Sequence, residues 1–274
     1  MEKNMPKIKF AATILAFSLL AGLLKAENNL AYAFAGQWYE GFRYARDNQT
    51  VIPFRTAFSV NFDEKFVYFN FRLEDPQVAK LRNLPTPPHG QWPKVDNVEL
   101  FLDPTGTSGN YFQLAAGVDG SMYDSRCLDG NWKTNWTTKV EIKDKEWLLT
   151  ITLPVDDPLM RPACVGANWR FNVCRNVKNS EDQYYSTWAL LGSDFHNPQG
   201  FAQLTFGRPE EIEAARKENM RSGIANLTQN LQKRGLFDYF AEKLSCLTPE
   251  SPEFELFDIQ DEALVIENLR SLKK

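Results

Sequence analysis

The segment Asp96 to Asp103, DNVELFLD, constrains the fold more than any other stretch of the chain. Val98, Leu100 and Leu102 alternate with Asn97, Glu99, Phe101 and Asp103, which is the period of a strand with one face in a core. Pro104 and the Gly106 to Gly109 segment then stop it. A strand marked this clearly lets its neighbours be read as partners.

Upstream, Thr56 to Phe62 and Phe66 to Arg72 flank Asp63-Glu64-Lys65 and predict a hairpin. An early strand is expected around Gln37 to Arg43, and a Pro-rich loop (Pro85, Pro87, Pro88, Pro93) leads into the central strand. Downstream, Tyr111 to Ala116 predicts a strand ended by the Asp119-Gly120 turn signal. A loop containing Cys127, Trp132 and Trp136 follows. Thr138 to Lys143 and Trp147 to Leu153 predict a second hairpin, and Trp169 to Arg175, Tyr185 to Leu190 and Phe201 to Phe206 complete the set. Short strands at regular spacing, separated by turn residues, predict an all-β, antiparallel β-sandwich of jelly-roll or immunoglobulin-like type rather than a βαβ fold.

At Pro209 the pattern changes. Met220, Ile224, Leu227 and Leu231 share one helix face, a second short helix would bury Phe237, Phe240 and Leu244, and a third is expected from about Asp261 with Val265, Leu269 and Leu272 in line. The expected organisation is a leader over 1–26, a β-sandwich over 27–207 and a C-terminal α-helical extension over 208–274. The extension is also where a protein partner would be sought.

Lys3, Lys7 and Lys9 precede the apolar run Phe10 to Leu24, and Lys25-Ala26 precedes Glu27. This is the layout of a secretory signal peptide cut after Ala26, with Ala33 as the alternative. The run is too short for a membrane span, so export to the periplasm or beyond is expected, with no membrane span left after cleavage. The formal charge of −4 lacks the clustered Lys and Arg that nucleic acid demands. Of the four cysteines, Cys127, Cys164, Cys174 and Cys246, the pair Cys164 and Cys174 is close enough in sequence for a local disulfide. Cys127 is a further candidate, and buried thiols are the alternative.

The segments TAFSVNFDEKFVYFNFRLEDP, DNVELFLDP, YFQLAAGVDG, KEWLLTITLP, ANWRFNVCR, YYSTW and HNPQGFAQLTF occur in this order between Thr56 and Phe206. The order resembles a family 9 carbohydrate-binding module. The resemblance implies a β-sandwich that binds poly- or oligosaccharide, often at a chain end, in support of polysaccharide-degrading enzymes. It also implies a structural Ca2+, although no loop here shows a recognisable ligand spacing.

Sugar recognition needs a flat aromatic face and fixed polar groups. Trp188, by resemblance, matches one of the family's pair of ligand-clamping tryptophans, and Trp92 is the candidate for the other; filling a core or rim is the alternative for either. With Val98, Leu100 and Leu102 inward, Glu99 faces outward, and Gln113 could join it from the next strand. Alternation along Trp169 to Arg175 turns Arg170 and Asn172 outward and Arg175 inward, so Arg175 needs a strand end or a bulge to reach ligand. The resemblance favours Asn172 and Arg175; the periodicity favours Asn172 and Arg170.

Hydrolysis would need two carboxylates facing each other across a cleft. Asp156-Asp157 reads as a turn and Asp96 and Glu99 share a strand, so no catalytic residues are assigned and an accessory, non-enzymatic role is expected. Neither His89 nor His196 has a nucleophile motif beside it. Two other functions compete with sugar binding: a structural cell-envelope protein docking through its helical tail, and a haem-binding electron-transfer sandwich. The latter needs an axial pair, for which His196 and Met122 are the best offer.

Overall fold

The computed structural model describes residues 30–75, 77–81, 92–155, 161–178, 183–191 and 194–272. The leader over 1–26, His89 and Asp156-Asp157 lie outside the described residues. In chain order the strands are β1 (Leu30–Ala33), β2 (Arg43–Tyr44), β3 (Thr56–Phe62), β4 (Phe66–Glu74), β5 (Asn97–Asp103) and β6 (Phe112–Gly117). Then come β7 (Met122–Arg126), β8 (Thr137–Ile142), β9 (Glu146–Pro154), β10 (Asn168–Val177), β11 (Tyr184–Thr187) and β12 (Ala202–Phe206). A single helical turn, α1, spans Val78–Leu81.

The strands form a sandwich. One sheet has the order β3-β4-β9-β8; the larger runs β1-β12-β10-β5-β6-β7, with β11 and β2 added beside the C-terminal half of β10. Pairing is antiparallel except for β1, which runs parallel to β12. The predicted alternation is realised: Val98, Leu100 and Leu102 of β5, with Phe171 and Val173 of β10, meet Phe58, Val60, Phe69, Phe71, Leu149 and Ile151 in one core. Each such side chain contributes about 1.5–3 kcal/mol by leaving water.

Two strands carried no readable pattern. β1 is four residues long and buries only Ala31 and Ala33. β7 takes the place of the expected loop after Asp119-Gly120; its inward positions are Met122, Asp124 and Arg126, of which only the first is apolar. Asp124 is buried because Lys133 Nζ donates to its Oδ1 at 2.8 Å and Thr134 N to its Oδ2 at 3.0 Å.

No disulfide forms: Cys127, Cys164 and Cys246 are exposed and free, and Cys174 is buried and free. Geometry keeps the candidate pair Cys164 and Cys174 apart. Cys164 precedes β10, whereas Cys174 lies six residues into it, roughly 20 Å along at about 3.3 Å per residue.

The chain divides into two compact units between Phe206 and Gly207. The second holds α2 (Pro209–Lys233), α3 (Phe237–Cys246) and α4 (Glu253–Ser271). Pro209 opens α2, Glu211 accepts from Arg208 N at 2.9 Å, and Gly235 at φ +61 closes it. Met220, Leu227 and Leu231 pack with Phe240, Leu244, Leu256, Ile259 and Ala263. The stripe expected to be buried on the last helix, Val265, Leu269 and Leu272, is exposed; α4 begins earlier than expected and buries the opposite face. No helix among the described residues is long and apolar enough to cross a membrane.

Candidate functional site

The outer face of the larger sheet carries a hollow of about 550 Å³. Its floor is set by register. β5 pairs Glu99 with Ala115 of β6 and Cys174 of β10, while Gln113 and Asn176 stand diagonally on either side. Ala115 is small, so Gln113 Nε2 crosses to Glu99 Oε2 at 2.6 Å. From the other side Asn176 Nδ2 donates to Glu99 Oε1 at 2.6 Å and to Asn97 Oδ1 at 2.9 Å. Ser125 Oγ donates to Gln113 Oε1 at 3.1 Å.

The same network fixes a wall. Asn97 Nδ2 donates to the carbonyls of Val95 at 2.7 Å and Trp92 at 3.3 Å, which ties the 3₁₀ turn Trp92–Lys94 to the start of β5. The Trp92 ring lies 5.5 Å from that of Tyr123 on β7. Tyr185, half exposed, forms the facing rim, with Lys178 Nζ 3.9 Å from its ring centre. His196 completes the lining; its Nδ1 pairs with Tyr111 OH at 2.9 Å, and its ring meets Phe101 edge-on at 5.1 Å.

Electrostatics follow from burial. Glu99 is 5% exposed, and desolvation raises its pKa above the ordinary carboxylate value, opposed by the Asn176 and Gln113 hydrogen bonds and by the Lys178 charge. Burial lowers the His196 pKa, opposed by the Asp194 charge, which favours the neutral imidazole. Asn176 Oδ1 is buried and accepts no hydrogen bond among the described residues.

Of the expected site residues, the fold brings together Trp92, Glu99 and Gln113. Trp188 does not join them. It is 9% exposed and packed among Phe58, Phe171 and Tyr39, with Nε1 donating to Glu40 O at 3.0 Å, so its faces are covered. Arg175 keeps the inward parity: it is buried, with no strand end or bulge, and donates to Thr56 Oγ1 at 2.8 Å and Glu74 O at 2.5 Å. Asn172 and Arg170 face outward as the alternation requires, yet line other contacts. Asn172 Oδ1 accepts from Ala189 N at 2.8 Å and its Nδ2 donates to Thr187 Oγ1 at 2.8 Å. Arg170 donates to the carbonyls of Gln199 and Phe201 at 2.6 and 2.7 Å.

Asn176, Tyr123 and Tyr185 were missed. Carrying the β10 alternation two residues past Cys174 would have found Asn176; Tyr123 sits on the unread strand.

The haem pair is excluded by parity, since Met122 packs toward the core whereas His196 lines the outer hollow. Asp96 and Glu99, three positions apart, fall on opposite faces and do not form a facing carboxylate pair. Among the described residues no group of three or more His, Cys, Asp or Glu converges. In the turn after β5, Asp103 spends its carboxylate on the N–H groups of Thr105, Gly106 and Ser108. The residues therefore do not fit a calcium ion there.

Comparison with solved structures finds the same sandwich fold at low sequence identity. A candidate carbohydrate-binding protein of Bacteroides uniformis superposes with a TM-score of 0.50 at 12% identity, over 69% of this chain and 92% of its own. That likeness shows the shared sandwich fold. A family 9 carbohydrate-binding module of Caldicellulosiruptor kristjanssonii is similar at 13% identity and TM-score 0.46 in its glucose complex, over 66% of this chain and 97% of that one. Its cellotriose complex gives 12% identity and 0.47, over 66% and 94%. No family model and no curated protein matches the chain.

Proposed function

We propose that the outer hollow of the larger sheet binds the sugar of a poly- or oligosaccharide, and that the protein is an exported, non-catalytic carbohydrate-binding module. The carrying observation is the floor of Glu99, Gln113 and Asn176, linked by hydrogen bonds to one another and, through Asn97, to the Trp92 wall. A pyranose has an apolar C–H face and a rim of hydroxyls; Trp92 and Tyr123 offer the first a surface, and the amides and carboxylate meet the second. The network holds these groups before ligand arrives, so little ordering is lost on binding. A hollow this size suits one or two rings of a chain end. The leader over 1–26 supports export, and the place of such a module is beside enzymes that degrade the same polysaccharide.

The test is a panel of soluble and insoluble polysaccharides presented to the chain from Glu27 onward. Binding to one sugar class that Trp92→Ala abolishes, with the fold intact, is the expected result. A folded protein that binds nothing on the panel rejects the reading.

A further inference from the structure

The smaller sheet carries a hollow of its own, about 590 Å³, on its outer face. Register sets Ser59, Asn70 and Thr150 side by side across β3, β4 and β9. Asn70 Nδ2 donates to Asn61 Oδ1 at 2.9 Å, and Thr150 Oγ1 donates to Asn70 Oδ1 at 3.2 Å. An amide carries two N–H donors and a hydroxyl two acceptor sites, so this ladder keeps capacity for a ligand.

Over it stands Trp38. The neighbouring Tyr39 exchanges two backbone hydrogen bonds with Phe58, at 2.7 and 2.9 Å, and turns its ring inward onto Phe58. In extended chain the next side chain points the other way, so Trp38 projects outward, 40% exposed. Gly36 and Gly41, both at φ +93, bend the chain on either side of this short rigid stretch. A solvated sheet face accounts for the polar ladder. It does not account for a tryptophan held beside that ladder and left 40% exposed.

The hollow is a section of a groove. It shares Arg72, Lys143 and Glu146 with an adjoining hollow of about 520 Å³. Three of the four cations along the groove meet carboxylates, Arg72 with Glu146 at 3.0 Å, Lys143 with Glu141 at 2.9 Å and Arg55 with Glu40 at 2.6 Å, and Glu74 and Asp144 share the lining with the fourth, Lys145, so the balanced charge favours an uncharged ligand.

We propose that this groove is a second glycan site, taking an internal stretch of a neutral polysaccharide with a pyranose ring on Trp38 and hydroxyls on Asn61, Asn70 and Thr150. The proposal takes its ligand class from the reading above but none of its residues. Because the two sites open on opposite faces of the sandwich, one copy holds two chains, and retention on an insoluble polysaccharide gains from both.

The test follows the indole N–H signals of ¹⁵N-labelled protein during titration with oligosaccharides of cellulose, xylan, mannan and β-1,3-glucan. Loss of a signal in Trp38→Phe identifies Trp38. The expected result is that this signal shifts with at least one of the four, in the wild type and in Trp92→Ala alike. Retention on the matching polysaccharide should fall roughly tenfold in Trp38→Ala, the scale of losing an aromatic anchor. A Trp38 signal unmoved by all four overturns the second site. The Trp92 signal in the wild type judges the first site separately, so either can fail alone.

Discussion

Trp92 and Trp188 lie on opposite faces of the larger sheet: Trp92 leans against Tyr123 at the outer hollow, and Trp188 meets Phe58 and Phe171 inside the sandwich. Their truncations therefore separate binding from folding. Trp188→Ala empties a core site and should cost about 3–5 kcal/mol, read as a lower denaturation midpoint. Trp92→Ala should leave that midpoint nearly unchanged while weakening sugar binding by roughly tenfold or more. Equal destabilisation by both would contradict the placement of Trp92.

The Glu99 carboxyl makes stability depend on pH in a stated direction. Its folded pKa is raised by burial, so between the unfolded and folded values the native state holds the extra proton. Stability from this group is present below the unfolded pKa and is lost as pH rises through the folded one. Glu99→Gln removes the titration. The melting temperature of the variant relative to wild type should therefore climb as pH increases from below 4.5 toward neutrality, at about 2–4 °C per kcal/mol for a domain of this size. A difference that does not vary with pH sinks the argument. Sugar binding should weaken in the variant, because one of the two donors facing Glu99 then meets an amide N–H instead of an oxygen.

The sandwich was legible because its inner residues alternate strictly along β4, β5 and β9, where a one-residue slip would put every apolar side chain in water. The facing of Glu99 followed from that alternation alone. So did the inward facing of Arg175, which the resemblance pulled the other way. What the sequence hid was contact across strands: Gln113 reaches Glu99 only because Ala115 is small, and Trp92 is placed by Asn97 through its carbonyl oxygen. Trp188 could not be separated from Trp92 by residue type, because a clamping ring and a core ring are the same side chain. On α4, apolar residues occupy two opposite faces, and Val265, Leu269 and Leu272 mark the exposed one as regularly as Leu256, Ile259 and Ala263 mark the buried one.

Arg175 joins the two sheets and should matter for stability alone. Burial lowers its pKa to about 10, against the charges of Asp75, Asp96 and Glu74. Removing the guanidinium leaves Thr56 Oγ1, the Glu74 carbonyl and this negative field without their donor. Arg175→Ala should cost about 3–5 kcal/mol, and Arg175→Met, which keeps most of the volume, clearly less. Below the unfolding transition both variants should retain sugar on an affinity gel as the wild type does. Loss of retention in a folded Arg175→Met protein would return Arg175 to the site.

Cys174 tests the register beneath the hollow. It pairs with Glu99 on β5 and Thr187 on β11, and its thiol pKa is pushed up by burial first and by the Glu99 charge second. A thiolate is the form that reacts, and here it is disfavoured and out of reach. Treating the reduced, native protein with iodoacetamide should label Cys127, Cys164 and Cys246, which are exposed, and spare Cys174 until denaturant is added. Peptide mass mapping reads the four sites separately. Labelling of Cys174 at the rate of Cys164 in native protein would mean that β11 does not cover it. A Cys164–Cys174 disulfide recovered from oxidised native protein would require β10 to leave its place between β5 and β12, and the Glu99–Asn176 floor would leave with it.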